Sequence, residues 1–453
     1  MKNRTRAEWE AITAQAWQLY NHGHDDSAVV MAKRALRIAQ HDMGPDHPDT
    51  ATSLKGLAVL YDILGQYAQA EPLYKRALAI WEKALGPRHR KVGGTLYGLA
   101  EMYCIQKRYT EAEPIYQRSL AIAEKVLGPD DPYMSTILNS IAEMYDGQDQ
   151  HAQAEPLRKR AQAIKSMWRE RRNEELYAAA GKGNVLRVKS LLAAGANPAY
   201  RGEEETPLHE AIISGHPSRM QVARLLIKQQ IANDGGTTTG ENGRSMDCYL
   251  DANSDFGTPL GIAVDNDDIR MVKFLLNDGA HADADGCSGG TPLHRAAKSG
   301  SMRILRLLLD RMEEQRREED LEEEGHIDVV SLLLDVDDTT PLHLAIEAGH
   351  FPAVKLLVAF GANVNAVDGE DETPLFKAAC GGHGEMVAWL LAEGASVDGV
   401  KDKSPLFASA AAAVGKMEAV AMFLKAGKSL DAAGETVLSR ARRRQKRAEE
   451  RHF

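Results

Sequence analysis

Apolar and small residues recur with a spacing of 42 positions in the N-terminal third of the chain. Within each 42-residue unit, apolar residues lie three and four positions apart, which is the spacing of one face of an α-helix. Each unit has two such stretches, for example residues 52–64 and 68–85, separated by a short turn and closed by Gly-Pro. The pattern predicts antiparallel helix pairs that bury their apolar faces by stacking on neighbouring pairs.

Two sets of residues mark this period. Small side chains that allow helices to approach closely are Ala16, Ala58, Ala100 and Ala142. Basic side chains one period apart are Arg34, Arg76, Arg118 and Arg160. We expect these arginines to pair with acidic residues on neighbouring turns, a common arrangement on helix surfaces.

The segment LKGLAVLYDILGQYAQAEPLYKRALAIWEKALGP, residues 54–87, resembles the tetratricopeptide repeat of kinesin light chains. The resemblance implies that the first helix of each pair lines a groove that binds a segment of another protein. Carried over by position, the groove residues are Trp17, Tyr20, Lys55, Tyr97, Glu101, Asn139 and Glu143. That family's paired asparagines are replaced by Lys55-Gly56 and Tyr97-Gly98, and only Asn139 remains. This mixed surface favours an extended or helical peptide over a clamped pair of carboxylates.

A second period begins after residue 173. Thr-Pro-Leu or Ser-Pro-Leu recurs at 206, 258, 291, 340, 373 and 404, with gaps of 52, 33, 49, 33 and 31 residues. Two gaps exceed 33 residues, which predicts two insertions. Residues 231–249 are rich in Gly, Thr, Asn and Asp and predict a flexible loop. The second insertion, from Met312, is a charged helix-forming segment.

The unit TPLHLAIEAGHFPAVKLLVAFGANVNA, residues 340–366, resembles the ankyrin repeat. Thr340 is expected to cap the first helix, Pro341 to occupy its first turn and Gly349 to end it. In that family the His of Thr-Pro-Leu-His bonds to the backbone turn. Residues 169–173 contain no Gly or Pro and predict that the preceding helix runs on as a semi-rigid connector.

These patterns predict an all-α fold of two helical repeat solenoids, the second with short β-hairpin turns. We expect a tetratricopeptide array over residues 1–168, a charged junction over 169–173, an ankyrin array over 174–440 and a basic tail over 441–453.

The expected ankyrin hairpin tips are rich in carboxylates. Ankyrin partners usually engage the tips and the first-helix face, and the predicted contact residues are Glu203, Glu204, Asp255, Asp285, Asp337, Asp368, Glu370 and Asp371. After position 172 the chain has 44 acidic residues against 31 basic ones. This excess favours a basic partner segment and disfavours nucleic acid there. A purely solubilising acidic edge is an equally open alternative.

One asparagine has the context of a modification site. Residues 357–365, LVAFGANVN, resemble the ankyrin sequence in which an oxygenase of some hosts hydroxylates the second asparagine. Asn365 would then be a substrate residue and not a catalytic one.

The remaining chemistry indicates a non-enzymatic protein. No stretch approaches the roughly 20 apolar residues of a membrane span, and MKNRTRAEWE lacks a secretory signal, so the cytoplasm is expected. The four cysteines are widely separated, which disfavours disulfides and a zinc site. Residues 286–290 fit G-x-S-x-G but occupy an expected ankyrin hairpin instead of a strand-to-helix turn. We expect no cofactor, no metal site and no small-molecule substrate.

The predicted function is a scaffold or adaptor for other proteins, with a segment captured by each array. The alternative is a nuclear or nucleic-acid-associated regulator that acts through the basic residues 440–447. A solvated terminal helix is the simpler interpretation of that tail.

Overall fold

The computed structural model describes residues 2–202, 205–233, 247–284, 290–319 and 339–396. The chain divides into two compact units, the first ending at Arg171 and the second beginning at Arg172. Within the described residues, extended pairing is limited to one antiparallel bridge between Ser254 and Gly257. The all-α fold class is therefore confirmed. None of the helices in these ranges combines the length and apolar character required to cross a membrane.

The first unit consists of helix pairs. Its helices are α1 (Lys2–Asn21), α2 (Asp25–Ile38), α3 (Pro48–Ile63), α4 (Tyr67–Leu85), α5 (Arg90–Ile105), α6 (Tyr109–Leu127), α7 (Pro132–Asp146) and the start of α8 (His151–Gly181). A π-helical turn, Ala39–Met43, follows α2. Each of α1, α3 and α5 packs against the helix that follows it, as the apolar spacing predicts.

Helix α3 begins four residues before the expected start at residue 52. His47 accepts a hydrogen bond from the backbone N–H of Asp49 and so caps the helix, and Pro48 occupies its first position. His89 and Asp131 cap α5 and α7 in the same way. A cap that satisfies an otherwise unpaired N–H stabilises a helix start, which explains the earlier boundary.

Small residues and ion pairs connect successive repeats of the first unit. Ala58, Ala100 and Ala142 are fully buried, which confirms their placement at helix contacts. Arg118 and Arg160 form ion pairs with Glu82 at 2.6 Å and Glu124 at 2.7 Å. Arg34 lies 3.9 Å from Glu8, so the expected pairing is confirmed for these three arginines. Because the pairs are partly exposed, each contributes only about 0–1 kcal/mol.

The second unit also consists of short helix pairs. After α8 come α9 (Val185–Ala193), α10 (Pro207–Ile213), α11 (Arg219–Asn233), α12 (Asp247–Leu250), α13 (Pro259–Asp265), α14 (Ile269–Asn277), α15 (Pro292–Ser299), α16 (Met302–Glu319), α17 (Pro341–Glu347), α18 (Phe351–Ala359), α19 (Pro374–Gly381) and α20 (Gly384–Ala392). Helix α8 includes the predicted connector, residues 169–173, which confirms that the helix runs on.

Both insertions begin as the continuation of a helix. Helix α11 continues to Asn233, so the first residues of the expected loop are helical, and Ile231 packs partly against the core. Helix α16 runs through Met312 to Glu319, as the charged helix-forming sequence predicts. Residues 234–246 and 320–338 lie outside the described ranges.

Threonine and histidine start the first helices of the second unit. Thr206 and Thr340 accept backbone hydrogen bonds from His209 and His343, and a proline follows each threonine. In the imidazole rings of His209 and His343, Nδ1 lies at hydrogen-bond distance from the threonine hydroxyl. The second ring nitrogen, Nε2, lies at hydrogen-bond distance from a carbonyl oxygen of the next hairpin. The histidine series is His209 with Ala252 at 2.8 Å, His294 with Thr339 at 3.0 Å and His343 with Glu372 at 3.1 Å. The expected backbone role of these histidines is confirmed.

Candidate functional site

The predicted groove residues of the first unit lie on α1, α3, α5 and α7. Three positions per helix recur with the 42-residue period, and they hold Thr13, Trp17, Tyr20, Lys55, Val59, Asp62, Tyr97, Glu101, Cys104, Asn139, Glu143 and Asp146. All are half-buried except Glu143, which is exposed. This row of mostly polar and aromatic residues differs from the apolar core of the unit, and it is the face that the sequence predicts to bind a ligand.

A cavity of about 240 Å³ opens beside the first two repeats. Trp17 and Lys55, both predicted groove residues, contribute to its wall together with Thr13, Gly56 and Val59. The pKa of Lys55 is lowered by burial and, to a smaller extent, by the charge of Lys91. Within the described residues, Lys55 has no carboxylate partner, and its Nζ lies beside Gly94 of α5.

Tyrosine rings cluster in the centre of the groove. Tyr97 lies 5.9 Å from Tyr133 and 6.1 Å from Tyr116, measured between ring centroids. Its hydroxyl is 3.0 Å from Ser140 Oγ, which joins α5 to α7. Burial raises the pKa of Tyr97 to about 12, so its hydroxyl is neutral. The structure thus brings Tyr97 together with two tyrosines that were absent from the predicted site.

Two carboxylates lie beside these rings. The Tyr74 hydroxyl donates to Asp62 Oδ2 at 3.3 Å, and the Tyr116 hydroxyl donates to Glu101 Oε1 at 2.6 Å. Tyr74 and Tyr116 are one period apart on the second helices. That repeated tyrosine was the sequence signal that could have identified both donors.

The acidic tips of the second unit are not equivalent. Asp255, Glu370 and Asp371 are exposed, as expected of hairpin tips. Asp368 is 5% exposed, which differs from the expected exposed position. Its Oδ1 accepts hydrogen bonds from the backbone N–H groups of Glu370 at 3.0 Å and Glu372 at 2.8 Å. Asp368 therefore holds the turn together and is removed from the set of surface contact residues.

Lys377 forms ion pairs with several carboxylates at and near this tip. Its Nζ lies 2.6 Å from Glu347, 2.9 Å from Asp368 and 3.4 Å from Glu372. The cluster neutralises much of the local acidic charge. Lys377 Nζ also lies 4.0 Å from Glu370 Oε2, so Glu370 borders this cluster as well.

Asn365 is exposed and bridges to the following hairpin. Its Nδ2 donates to the carbonyl oxygen of Gly394 at 3.3 Å, and its Oδ1 accepts from the N–H of Ser396 at 2.6 Å. The side chain is accessible but held by the next repeat. Any enzyme that modifies it must compete with these two bonds.

Several predicted site residues lie outside the described ranges. They are Glu203, Glu204, Asp285 and Asp337. The basic residues 440–447, on which the nuclear alternative rests, also lie outside them.

Two observations bear on metal binding and on thiol reactivity in the described residues. These residues contain no cluster of three metal-binding side chains. Burial raises the pKa of Cys104 and of Cys380 to about 11, the direction opposite to that of a reactive thiolate.

Comparison with known families decides the nature of both units. A tetratricopeptide repeat model matches residues 18–83 and 91–166. Ankyrin repeat models match residues 176–227, 240–318 and 321–401. The chain contains tetratricopeptide repeats followed by ankyrin repeats. Both repeat types are generally protein–protein interaction modules.

Similar proteins match over only part of their length. The human transient receptor potential cation channel subfamily A member 1 is 29% identical over 43% of this chain and 15% of its own. The probable E3 ubiquitin-protein ligase XBOS32 of Oryza sativa subsp. japonica is 29% identical over 42% of this chain and 38% of its own. The putative ankyrin repeat protein FPV014 of fowlpox virus is 33% identical over 30% of this chain and 27% of its own.

Among solved structures, the human ASB11 ankyrin repeat domain is 26% identical. It covers 49% of this chain and 85% of its own, with a TM-score of 0.34.

Proposed function

We propose that this protein is a non-enzymatic scaffold that holds one partner segment in the tetratricopeptide groove and another against the ankyrin tips and first helices. The half-buried groove face, with its cavity of about 240 Å³, is the observation that carries the proposal. A cavity of this size accepts a large apolar side chain. The polar residues around it can bond to the backbone of the same segment.

The occupant of the groove is a peptide segment in an extended or helical conformation. Trp17 and Val59 supply apolar contact at the cavity, and Tyr97 supplies it further along the groove. Lys55 and Glu101 bring opposite charges to the same face. A segment with an apolar anchor and flanking polar groups matches this order of residues.

The test is to block the groove. A β-carbon placed at Gly56 meets no atom within 4 Å, and Gly56 lines the cavity, so Gly56→Phe fills the groove without a clash in the core. Ala68→Phe, at an exposed position of α4, is the matched control. Proteins captured from lysate by the full chain and by both variants are compared by quantitative mass spectrometry.

We expect Gly56→Phe to lose a defined set of proteins that Ala68→Phe retains. Identical sets for all three forms of the chain would refute groove binding.

The ankyrin unit is proposed to attract a basic segment through Asp255, Glu370 and Asp371. Replacing these three residues by Asn or Gln, while keeping Asp368, should slow association with a captured partner and reduce its salt dependence. The rate is measured with rising salt, where the screening length falls below about 8 Å. An association rate indifferent to the substitutions and to salt would mean that the tips serve solubility alone.

A further inference from the structure

In the fourth repeat, a carboxylate of the predicted groove is neutralised by basic side chains of the same repeat. Asp146 occupies the position of Asp62, two periods later. Arg158 stands where Tyr74 and Tyr116 stand in the preceding repeats, and it forms an ion pair with Asp146. His151 Nδ1 lies 2.9 Å from Asp146 Oδ1. In this repeat the second helix supplies the cation that the carboxylate needs.

The second repeat lacks that cation. Among the described residues, Asp62 forms no ion pair with Lys, Arg or His, and its Oδ1 is enclosed without a hydrogen-bond partner. Its other oxygen receives a single bond, from Tyr74. A buried acceptor without a donor is unfavourable. The carboxylate of half-buried Asp62 therefore has unused hydrogen-bond acceptor capacity at the predicted groove face.

Glu101, on the first helix of the next repeat, adds a second negative charge near enough to act on Asp62. Burial is the largest cause that raises the pKa of Asp62, and the negative charge of Glu101 raises it further. Glu101 receives a bond from Tyr116 and, within the described part of the chain, forms no ion pair either. Two mutually repelling carboxylates are stabilised together when a cation binds between them.

Rings and apolar residues surround the carboxylates. Tyr97 and Tyr133 pack edge to face at 5.9 Å, and both are half-buried. Ile63 and Ile105, one period apart, are 51% and 60% exposed beside Asp62 and Cys104. A planar guanidinium can donate to two carboxylates and stack on a tyrosine ring, whereas an ammonium is a compact point charge. The exposed isoleucines suit the methylene chain behind such a group.

We infer that the centre of the groove binds an arginine side chain of a partner protein, whose guanidinium bonds to Asp62 and Glu101 beside Tyr97. The partner's arginine supplies to the second and third repeats what Arg158 supplies to the fourth. The inference rests on the proposed function and names the chemistry of the segment that the groove holds.

The probes are pools of fluorescent nonapeptides with randomised flanks and a central arginine, citrulline or leucine. Citrulline keeps the shape of arginine but removes its charge. Binding to the full chain is measured by fluorescence polarisation. We expect the arginine pool to bind about tenfold more tightly than the citrulline pool, the value for one charge-assisted pair.

The preference for arginine should disappear in the double variant Asp62→Asn, Glu101→Gln. The matched control is Asp146→Asn, which makes the same chemical change at the position already neutralised by Arg158, and it should retain the preference. Circular dichroism verifies that all variants keep their helical content.

Equal binding of the arginine and citrulline pools, or a preference that survives the double variant, would overturn the inference. If the leucine pool binds and is lost in Gly56→Phe while arginine gives no advantage, groove binding stands and the arginine site does not. Absence of binding by every pool would overturn both.

Discussion

The imidazole ring of His350 lies against Gly300, at the end of the first helix of the preceding repeat. Gly300 has a left-handed backbone, with φ of +69°, and a β-carbon built there would lie 2.6 Å from ring atoms of His350. The pair Gly349 and His383 repeats the arrangement at 3.0 Å. Glycine is needed here for two reasons, its backbone conformation and the close approach of a ring.

Gly300→Ala should destabilise the ankyrin unit more than Gly215→Ala. Gly215 has a similar φ of +62°, but a β-carbon there meets no atom within 4 Å. A left-handed alanine costs roughly 1–2 kcal/mol at either position. The contact with His350 should add about 1–3 kcal/mol at Gly300. Denaturant unfolding followed by circular dichroism measures both. Equal losses would show that the ring moves aside freely.

Ala100→Leu should overpack the contact between helices of the first unit. Ala100 is fully buried, and three additional carbon atoms have no space there, so we expect a loss of roughly 1–3 kcal/mol. Ala68→Leu, at an exposed position of α4, is the control and should be nearly neutral. Trp389→Phe removes the tryptophan of the second unit, so fluorescence then follows the first unit alone. Unchanged stability of Ala100→Leu would contradict this packing.

Acid should weaken the first unit through Glu71. Arg108, whose Nη1 lies 2.9 Å away, is the main cause that lowers the pKa of Glu71 from 4.5 to about 2. Because the folded pKa lies below the unfolded value, the stabilisation is present above pH 4.5 and is lost as pH falls toward about 2. Unfolding midpoints measured across this range should fall. The fall should be smaller in Arg108→Gln, and an unchanged slope would contradict the assignment.

As pH falls, the second unit should begin to lose stability at a higher pH than the first unit, because of His209. Burial lowers the pKa of His209 from 6.5 to about 4 and also lowers that of His343. The unfolded chain then binds protons that the folded unit does not, so stability is lost as pH falls from 6.5 toward 4. The Trp389 signal, taken as the difference between the fluorescence of the unsubstituted chain and that of Trp389→Phe, should report earlier acid unfolding than the first unit shows. Simultaneous transitions would argue against this cause.

Asn365 should gain one oxygen atom when the chain is expressed with an ankyrin-modifying asparagine hydroxylase. Its side chain is exposed, although it bonds to Gly394 and Ser396 of the next hairpin. Peptide mass spectrometry should assign the added mass to Asn365 and not to Asn363. No added oxygen at Asn365 would remove the proposal.

The repeat architecture could be predicted from sequence because the same helix-capping and helix-contact residues recur in each unit. Threonine before proline caps the ankyrin helices at Thr206 and Thr340, and alanines at a 42-residue spacing mark helix contacts. These signals depend on neighbours within a few residues or on the period itself. The start of α3 was missed because His47, a histidine, acts as its cap.

The site was less predictable, because its geometry depends on which residues meet across repeats. Asp368 reads as one more acidic tip residue, yet the two backbone N–H groups and Lys377 that bury it are recognised only in three dimensions. The hydrogen bond from Tyr116 to Glu101 joins two helices, as does the one from Tyr74 to Asp62. The two tyrosines are 42 residues apart but the two carboxylates are 39 apart, so the 42-residue period does not predict both bonds. Local pattern therefore predicts the elements but not these contacts.

In the histidine series, the number of residues between the two hydrogen-bond partners varies, while the distance between the bonded atoms stays nearly constant. His209 and Ala252 are 43 residues apart, His294 and Thr339 are 45 apart, and His343 and Glu372 are 29 apart. All three pairs nevertheless make the same bond, within 2.8–3.1 Å. Chain length between partners can therefore change without altering the register of the stack. The chain between His209 and Ala252 and the chain between His294 and Thr339 are thus where a reporter domain or new binding loop could be added while the repeats on either side keep their bonds.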